Sequence, residues 1–433
     1  MFLQLGAVVV VTIRLFATGT NDPTAEAIRA VCEEEYYLRK TSEQLSNVLQ
    51  PLRTEQVRLS AAARTYRLAA AAATDGEMRC LISALEQLAK AKYEQNKKAI
   101  ENNGPKIDAA IRQINKQRQH LQTILDVEAI TLTTEAGAKH TKAGGSANDP
   151  KIELKVGTPA ALSCRPLGEN DKPNLGNKPN PGKLQTIKIT KLPKISDAIK
   201  NLKLAVTAAG SCTNTDGQAG TLQEVLTGCS FASAGVALAF QAAAGKGIKQ
   251  GAPKKLFKGD QPGGECHEEI KAAEQGGDAA NYFARLLCET LQVKPSVQHM
   301  PELSGATLAD DPTVQTVIAR CVPSYANLLN PKKEPENKDL KAYIKAAYGE
   351  KKDNFDNKFK TLLGKKTVLV TREGKKQPVT IDTISSNDEE AEILGRLEGE
   401  RNKNELEAEK RDASTTLIDY KKEDKCKDKP MEE

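Results

Sequence analysis

Between Thr24 and Leu125 the apolar residues step by threes and fours with two prolines in their way, and that pattern commits the chain to long helices. Leu81, Leu85, Leu88, Lys92, Gln95 and Ala99 lie on one stripe, which restarts after Gly104-Pro105 at Ile107, Ile111, Ile114, Arg118, Leu121 and Leu125. Such alternation is the seam of a coiled coil. A looser stripe of Ile28, Val31, Leu45, Leu49, Leu52, Leu59 and Tyr66 marks an earlier arm. The alanines from Ala69 to Ala73 let two arms approach closely before a turn at Thr74-Asp75-Gly76. The expectation is a long antiparallel helical hairpin over 24–125, each arm broken once by a proline. At about 1.5 Å per residue, an arm of roughly 45 to 50 residues is on the order of 70 Å long. That length suits a spacer better than an enzyme.

The rest of the composition agrees with helix-on-helix packing. Of 433 residues, 39% are hydrophobic but only 4% aromatic, with no Trp, so the core is built from Ala, Leu, Ile and Val. The net charge of +6 comes from 63 basic and 57 acidic residues spread along the chain. Lys254-Lys255 and Lys351-Lys352 have no aromatic platform or nucleic-acid motif beside them, so no nucleic-acid partner is expected.

The nine cysteines are Cys32, Cys80, Cys164, Cys212, Cys229, Cys266, Cys288, Cys321 and Cys426. None forms C-x-x-C, and the wide, irregular gaps suit long-range disulfides rather than zinc ligation. The first eight are the disulfide candidates, an even number that argues for an oxidising compartment. The apolar run from Leu3 to Ile13, reaching Ala17, has the size of a secretory h-region, although Arg14 intrudes and no basic residue precedes it. It is read as a signal peptide over 1–19.

Beyond Leu125 the helical pattern fades into a loop over Val127 to Ala147. Short β-like runs, Ile152 to Val156 and Leu184 to Ile189, flank a Pro/Gly/Asn-rich excursion from Arg165 to Lys183. A short helix is expected from Ser196 to Val206, then irregular Gly/Ala-rich structure to Gly264. Short amphipathic helices follow at His267–Glu274, Ala279–Leu291 and Pro312–Cys321. Lys338 to Leu363 reads as a helix pair around Ala347-Tyr348-Gly349. Val368–Val370 and Val379–Ile384 read as paired strands across Arg372-Glu373-Gly374, and Glu389–Arg411 as a charged helix. The fold class is mainly α, a coiled-coil hairpin with a disulfide-rich, loop-rich head and small β elements.

No reaction chemistry is visible. Gly364-Lys365-Lys366-Thr367 resembles the end of a phosphate loop, but Phe359 stands where its first glycine belongs, so a β-turn is the better reading. Gly245-Lys246-Gly247 is a loop. His120, His140, His267 and His299 do not pair at ligand spacing. In Cys266-His267-Glu268-Glu269 adjacent side chains diverge, which leaves a disulfide-bonded Cys266 and an exposed His267. No catalytic, cofactor or metal site is expected.

The order of parts resembles a trypanosome variant surface glycoprotein over about residues 20 to 410: apolar leader, early Cys32, Ala-rich apex from Leu68 to Asp75, cysteine-rich head, the Ile344-Lys345-Ala346-Ala347-Tyr348-Gly349 segment with Phe355 and Phe359, and a charged exit. Its type A N-terminal domain is closer than type B. The resemblance implies that 20–385 is the N-terminal domain, with the head and short helices at 126–385, and that 386–433 is a charged helix, linker and remnant of a C-terminal domain. It further implies a disulfide-bonded homodimeric glycoprotein at the cell surface, on the outer leaflet of the plasma membrane through a glycosylphosphatidylinositol anchor. Such proteins pack with neighbouring coat proteins and meet host antibodies, so that antigenic variation serves immune evasion. The alternative on the same scaffold is a receptor for a host serum protein or a serum-resistance protein. The first expected bridge is Cys32 to Cys164. Here the chain ends at Glu433 with neither a Cys-rich domain nor an apolar tail, which reads as a truncated copy.

Overall fold

The computed structural model describes residues 21–128, 175, 177–190, and 251–427 apart from 385, together with segments 132–134, 141–142, 150–151, 154–156, 202–207 and 237–242. The expected leader at 1–19, His140, Gly245-Lys246-Gly247, and Cys164, Cys212 and Cys229 lie outside these residues. The chain divides into two compact units, one of residues 1–48 with 103–294 and the other of 49–102 with 295–433.

Four helices come first: α1 (Pro23–Ala27), α2 (Val31–Asn47), α3 (Gln50–Ala71) and α4 (Gly76–Glu128). Asp22 caps α1, its carboxylate accepting from Thr24 N at 3.0 Å. Asp75 does the same for α4, accepting from Met78 N at 2.7 Å, so the turn expected at Thr74-Asp75-Gly76 starts the long helix. The first arm is broken twice rather than once. Ile28 to Ala30 separates α1 from α2, and Val48-Leu49 separates α2 from α3, with Pro51 in the first turn of α3, where its missing N–H costs nothing. Conversely α4 runs unbroken through Pro105, against the expected interruption. Glu101, whose carbonyl loses its partner N–H at Pro105, is exposed and can be hydrated, while buried Ala89 and Asn96 before it and Ile107 and Ala110 after it hold the helix.

In the first unit, α2 and the part of α4 from Asn103 onward supply Cys32, Tyr37, Leu38 and Leu45, and Ile107, Ala110, Ile114, Leu121 and Leu125, to the core. Small antiparallel pairs follow. β1 (Leu132–Thr134) pairs with β4 (Leu154–Val156), and β2 (Thr141–Lys142) with β3 (Pro150–Lys151). β5 (Thr186–Ile187) pairs with β8 (Lys254–Lys255), and β6 (Leu202–Thr207) with β7 (Ala237–Ala242). β6 corrects the helix expected to Val206: Leu202, Leu204 and Val206 alternate with period two, and that pattern wins over the helical reading. Helices α5 (Glu268–Lys271) and α6 (Ala279–Leu291) complete the unit, the second capped by Asp278.

In the second unit, α3 and the part of α4 up to Asn102 bury Ala63, Tyr66, Leu68, Leu81, Leu85 and Leu88 in one core. Into it pack α7 (Gly305–Ala309), α8 (Pro312–Cys321), α9 (Lys338–Tyr348), α10 (Lys352–Phe355), a π turn at Asp356–Lys360 and α11 (Thr361–Lys365). Tyr348 is central. Its ring lies 6.1 Å from Phe355 and 5.4 Å from Phe359, and its hydroxyl donates to Leu81 O at 2.6 Å. Strands β9 (Thr367–Arg372) and β10 (Lys375–Thr380) form a hairpin whose two-residue turn, Glu373-Gly374, has both φ angles positive. The second strand expected at Val379–Ile384 therefore starts four residues earlier. The last helix, α12 (Asn387–Lys427), extends beyond both ends expected for it.

Candidate functional site

Among the described residues, polar side chains converge in a buried cluster of the first unit and in a cleft of the second. In the first unit, the Glu34 carboxylate on α2 is 1% exposed. It accepts from Thr190 N at 3.0 Å, from the Thr190 hydroxyl and from Gln117 Nε2 at 3.0 Å. No cation pairs with it among the described residues, and burial raises its pKa against the pull of those donors. One residue on, Glu35 meets Arg118 at 2.7 Å, so adjacent acids on α2 read adjacent residues of α4. The sequence signal was present: a carboxylate three residues from Val31 and four from Leu38 sits on an apolar stripe.

Cys266 is bonded to Cys288, which removes the thiol from Cys266-His267-Glu268-Glu269. His267 is half-buried rather than exposed, and its Nδ1 accepts from Glu269 N at 3.4 Å to cap α5. His120 on α4 has a lowered pKa, from burial first and Lys116 second.

In the second unit, a cleft of about 400 Å³ lies among Ser60, Ala63, Arg64, Arg67, Lys90, Tyr93, Glu94, Asn387 and Glu390. Its cations are already engaged. Arg64 and Arg67 each reach Glu390 at 2.9 Å, Arg67 also meets Glu86 at 2.9 Å, and Lys90 pairs with Glu86. Hydrogen bonding to Glu86 is the main cause of a raised pKa at Arg67. The cleft holds the first turn of α12 in place through Glu390, and its two arginines and Lys90 are spent on Glu86 and Glu390. Cys80 at the start of α4 is bonded to Cys321 at the end of α8. His299 Nδ1 lies 3.2 Å from Glu55, which Arg58 also meets at 3.1 Å. Gly364-Lys365 ends α11 and Thr367 opens β9, so the segment read as a β-turn is a helix-to-strand junction. Among the described residues no group of three His, Cys, Asp or Glu is placed to hold a metal, and no helix is long and apolar enough to cross a membrane.

No protein-family description and no curated protein matches the sequence. Solved structures do match the fold. The variant surface glycoprotein VSGsur bound to suramin superposes with a TM-score of 0.63 at 17% identity, covering 88% of this chain and all (100%) of that one. VSGsur alone gives 0.57 at 17% identity, with 88% and 100% covered. The chain has the variant surface glycoprotein fold. In variant surface glycoprotein terms the sequence had singled out the Tyr348-Gly349 segment with Phe355 and Phe359, and these residues form the aromatic centre of the second unit. Of the eight cysteines expected in bridges, the structure joins Cys80 to Cys321 and Cys266 to Cys288, and Cys32 is also disulfide-bonded.

Proposed function

We propose that the protein is a surface coat glycoprotein of a trypanosome, acting by shape and replaceability rather than by a reaction. Residues 20–385 would be its N-terminal domain and 386–433 a charged helix, linker and remnant of a C-terminal domain. In that role it is a homodimer, packs against neighbouring coat proteins, shields the plasma membrane to which a glycosylphosphatidylinositol anchor ties the full-length form, and is exchanged so that host antibodies lose their target. The observation that carries this reading is the variant surface glycoprotein fold over 88% of the chain. The disulfides support it as well, since they suit an oxidising surface. The disulfide at Cys32 is proposed to close on Cys164.

The test is to express the chain in trypanosomes with an anchor sequence and stain live cells with antibodies raised against it. Uniform surface staining that a phosphatidylinositol-specific phospholipase removes is the expected result. Retention inside the cell, or recovery from host serum of one stoichiometric partner, would overturn the coat reading.

A further inference from the structure

The disulfides differ in what surrounds them. Among the described residues the bonded cysteines Cys32, Cys80, Cys266 and Cys288 are all buried, and Cys321 alone is exposed. The Cys266–Cys288 bridge of the first unit is also covered, since Gln292 Nε2 lies 3.4 Å from one sulfur and 3.7 Å from the other. The Cys80–Cys321 bridge of the second unit has one end in the core and the other at the surface.

That asymmetry decides how a thiol can react with it. Thiol–disulfide exchange proceeds by attack of a thiolate on one sulfur, in line with the bond to the other, and depends on access to the attacked sulfur. An attack on Cys80 Sγ would have to come from the buried side. An attack on Cys321 Sγ comes from the exposed one. Cys321 is also the last residue of α8, where the helix dipole disfavours a thiolate, so the electron pair is better left on Cys80.

We infer that Cys321 is a thiol-exchange site, at which a small thiol opens the Cys80–Cys321 bridge in the folded protein and remains attached as a mixed disulfide. The incoming thiolate forms a bond to Cys321 Sγ, the Cys321–Cys80 bond breaks, and Cys80 leaves as a thiolate that takes up a proton. A second thiolate can then displace the first as a small disulfide, which leaves Cys321 reduced. Opening the bridge does not require unfolding. Val314, Ile318 and Ala319 keep α8 in the core, and Val322, Tyr325 and Leu328 pack against it beyond the bridge. The inference is independent of the coat reading, because it rests on access to one sulfur.

The test treats the whole wild-type protein in native buffer with dithiothreitol, quenches it with acid at intervals, unfolds it, alkylates the free thiols and maps the peptides. Cys80 and Cys321 are expected to become free on the order of tenfold faster than Cys266 and Cys288, a difference that urea should abolish. Equal rates in native buffer, or a Cys80–Cys321 bridge that opens only in urea, would overturn the inference. A second measurement uses Cys80→Ser, which leaves the Cys321 thiol unpaired, with glutathione disulfide as the probe. A glutathione adduct on Cys321 in native buffer, formed about as fast as in urea, is expected. Protection of that thiol until urea is added would contradict its role, and the wild-type rates stand whether or not the variant folds.

Discussion

Gly305 shows how single residues set the second unit. Its N–H donates to Gly349 O at 2.7 Å, and a Cβ there would stand 2.4 Å from Lys345 O and 2.7 Å from Gly349 O. Both are backbone atoms and cannot swing away. Gly305→Ala should therefore cost about 1–3 kcal/mol by overpacking, read as a lower denaturation midpoint in urea; an unchanged midpoint would show that α7 can slide off α9. Glu34 makes a prediction with a sign. Because burial raises its folded pKa above the ordinary 4.5, its contribution to stability is full below that ordinary value and is lost as pH rises through the raised one. His120, with its lowered pKa, works in the opposite sense: the stability it favours is present above the ordinary 6.5 and lost as pH falls through its lowered value. Unfolding in urea from pH 4 to 8 should thus show wild type losing stability relative to Glu34→Gln as pH rises. Parallel curves would mean that Glu34 does not titrate differently on folding.

The elements were legible where pattern and caps agreed. Ala279–Leu291 and Pro312–Cys321 have the bounds the sequence suggested, since an Asp stands before each, at 278 and 311, and accepts backbone N–H groups. Pro105 misled because a proline's cost depends on whether the freed carbonyl can reach water, which periodicity does not report. The strand over Leu202–Thr207 was missed because six residues of alternating pattern were overrun by a helical reading begun at Ser196. Glu390 was invisible as a site residue, since its partners Arg64 and Arg67 lie more than 300 positions away, with |i−j| of 326 and 323. Leu85 and Ile114, by contrast, were picked from the stripe, and both are wholly buried at 0% exposure. Leu85→Asp or Ile114→Asp should destabilise the protein by about 4 kcal/mol or more, because the new carboxylate has no partner in the seam. A Tm equal to wild type for either variant would contradict its place in the core.

At the scale of the whole molecule, the bridge between Cys80 and Cys321 spans 241 residues of sequence, and both of its ends lie in the second unit. Replacing Cys321 and Cys80 together by Ser should lower stability by about 2–5 kcal/mol, the usual loss when a native disulfide is removed. Chemical denaturation followed by tyrosine fluorescence would measure it, and a double variant as stable as wild type would show the two halves to be held by packing alone. The same bridge has a meaning for descent. Most of the residues between its two cysteines, 103–294, form the other unit together with 1–48. None of the residues of the Leu85 and Tyr348 core and neither of the bridged cysteines lies in that stretch, so a substitution inherited within 103–294 replaces no side chain of that core or of its cross-link.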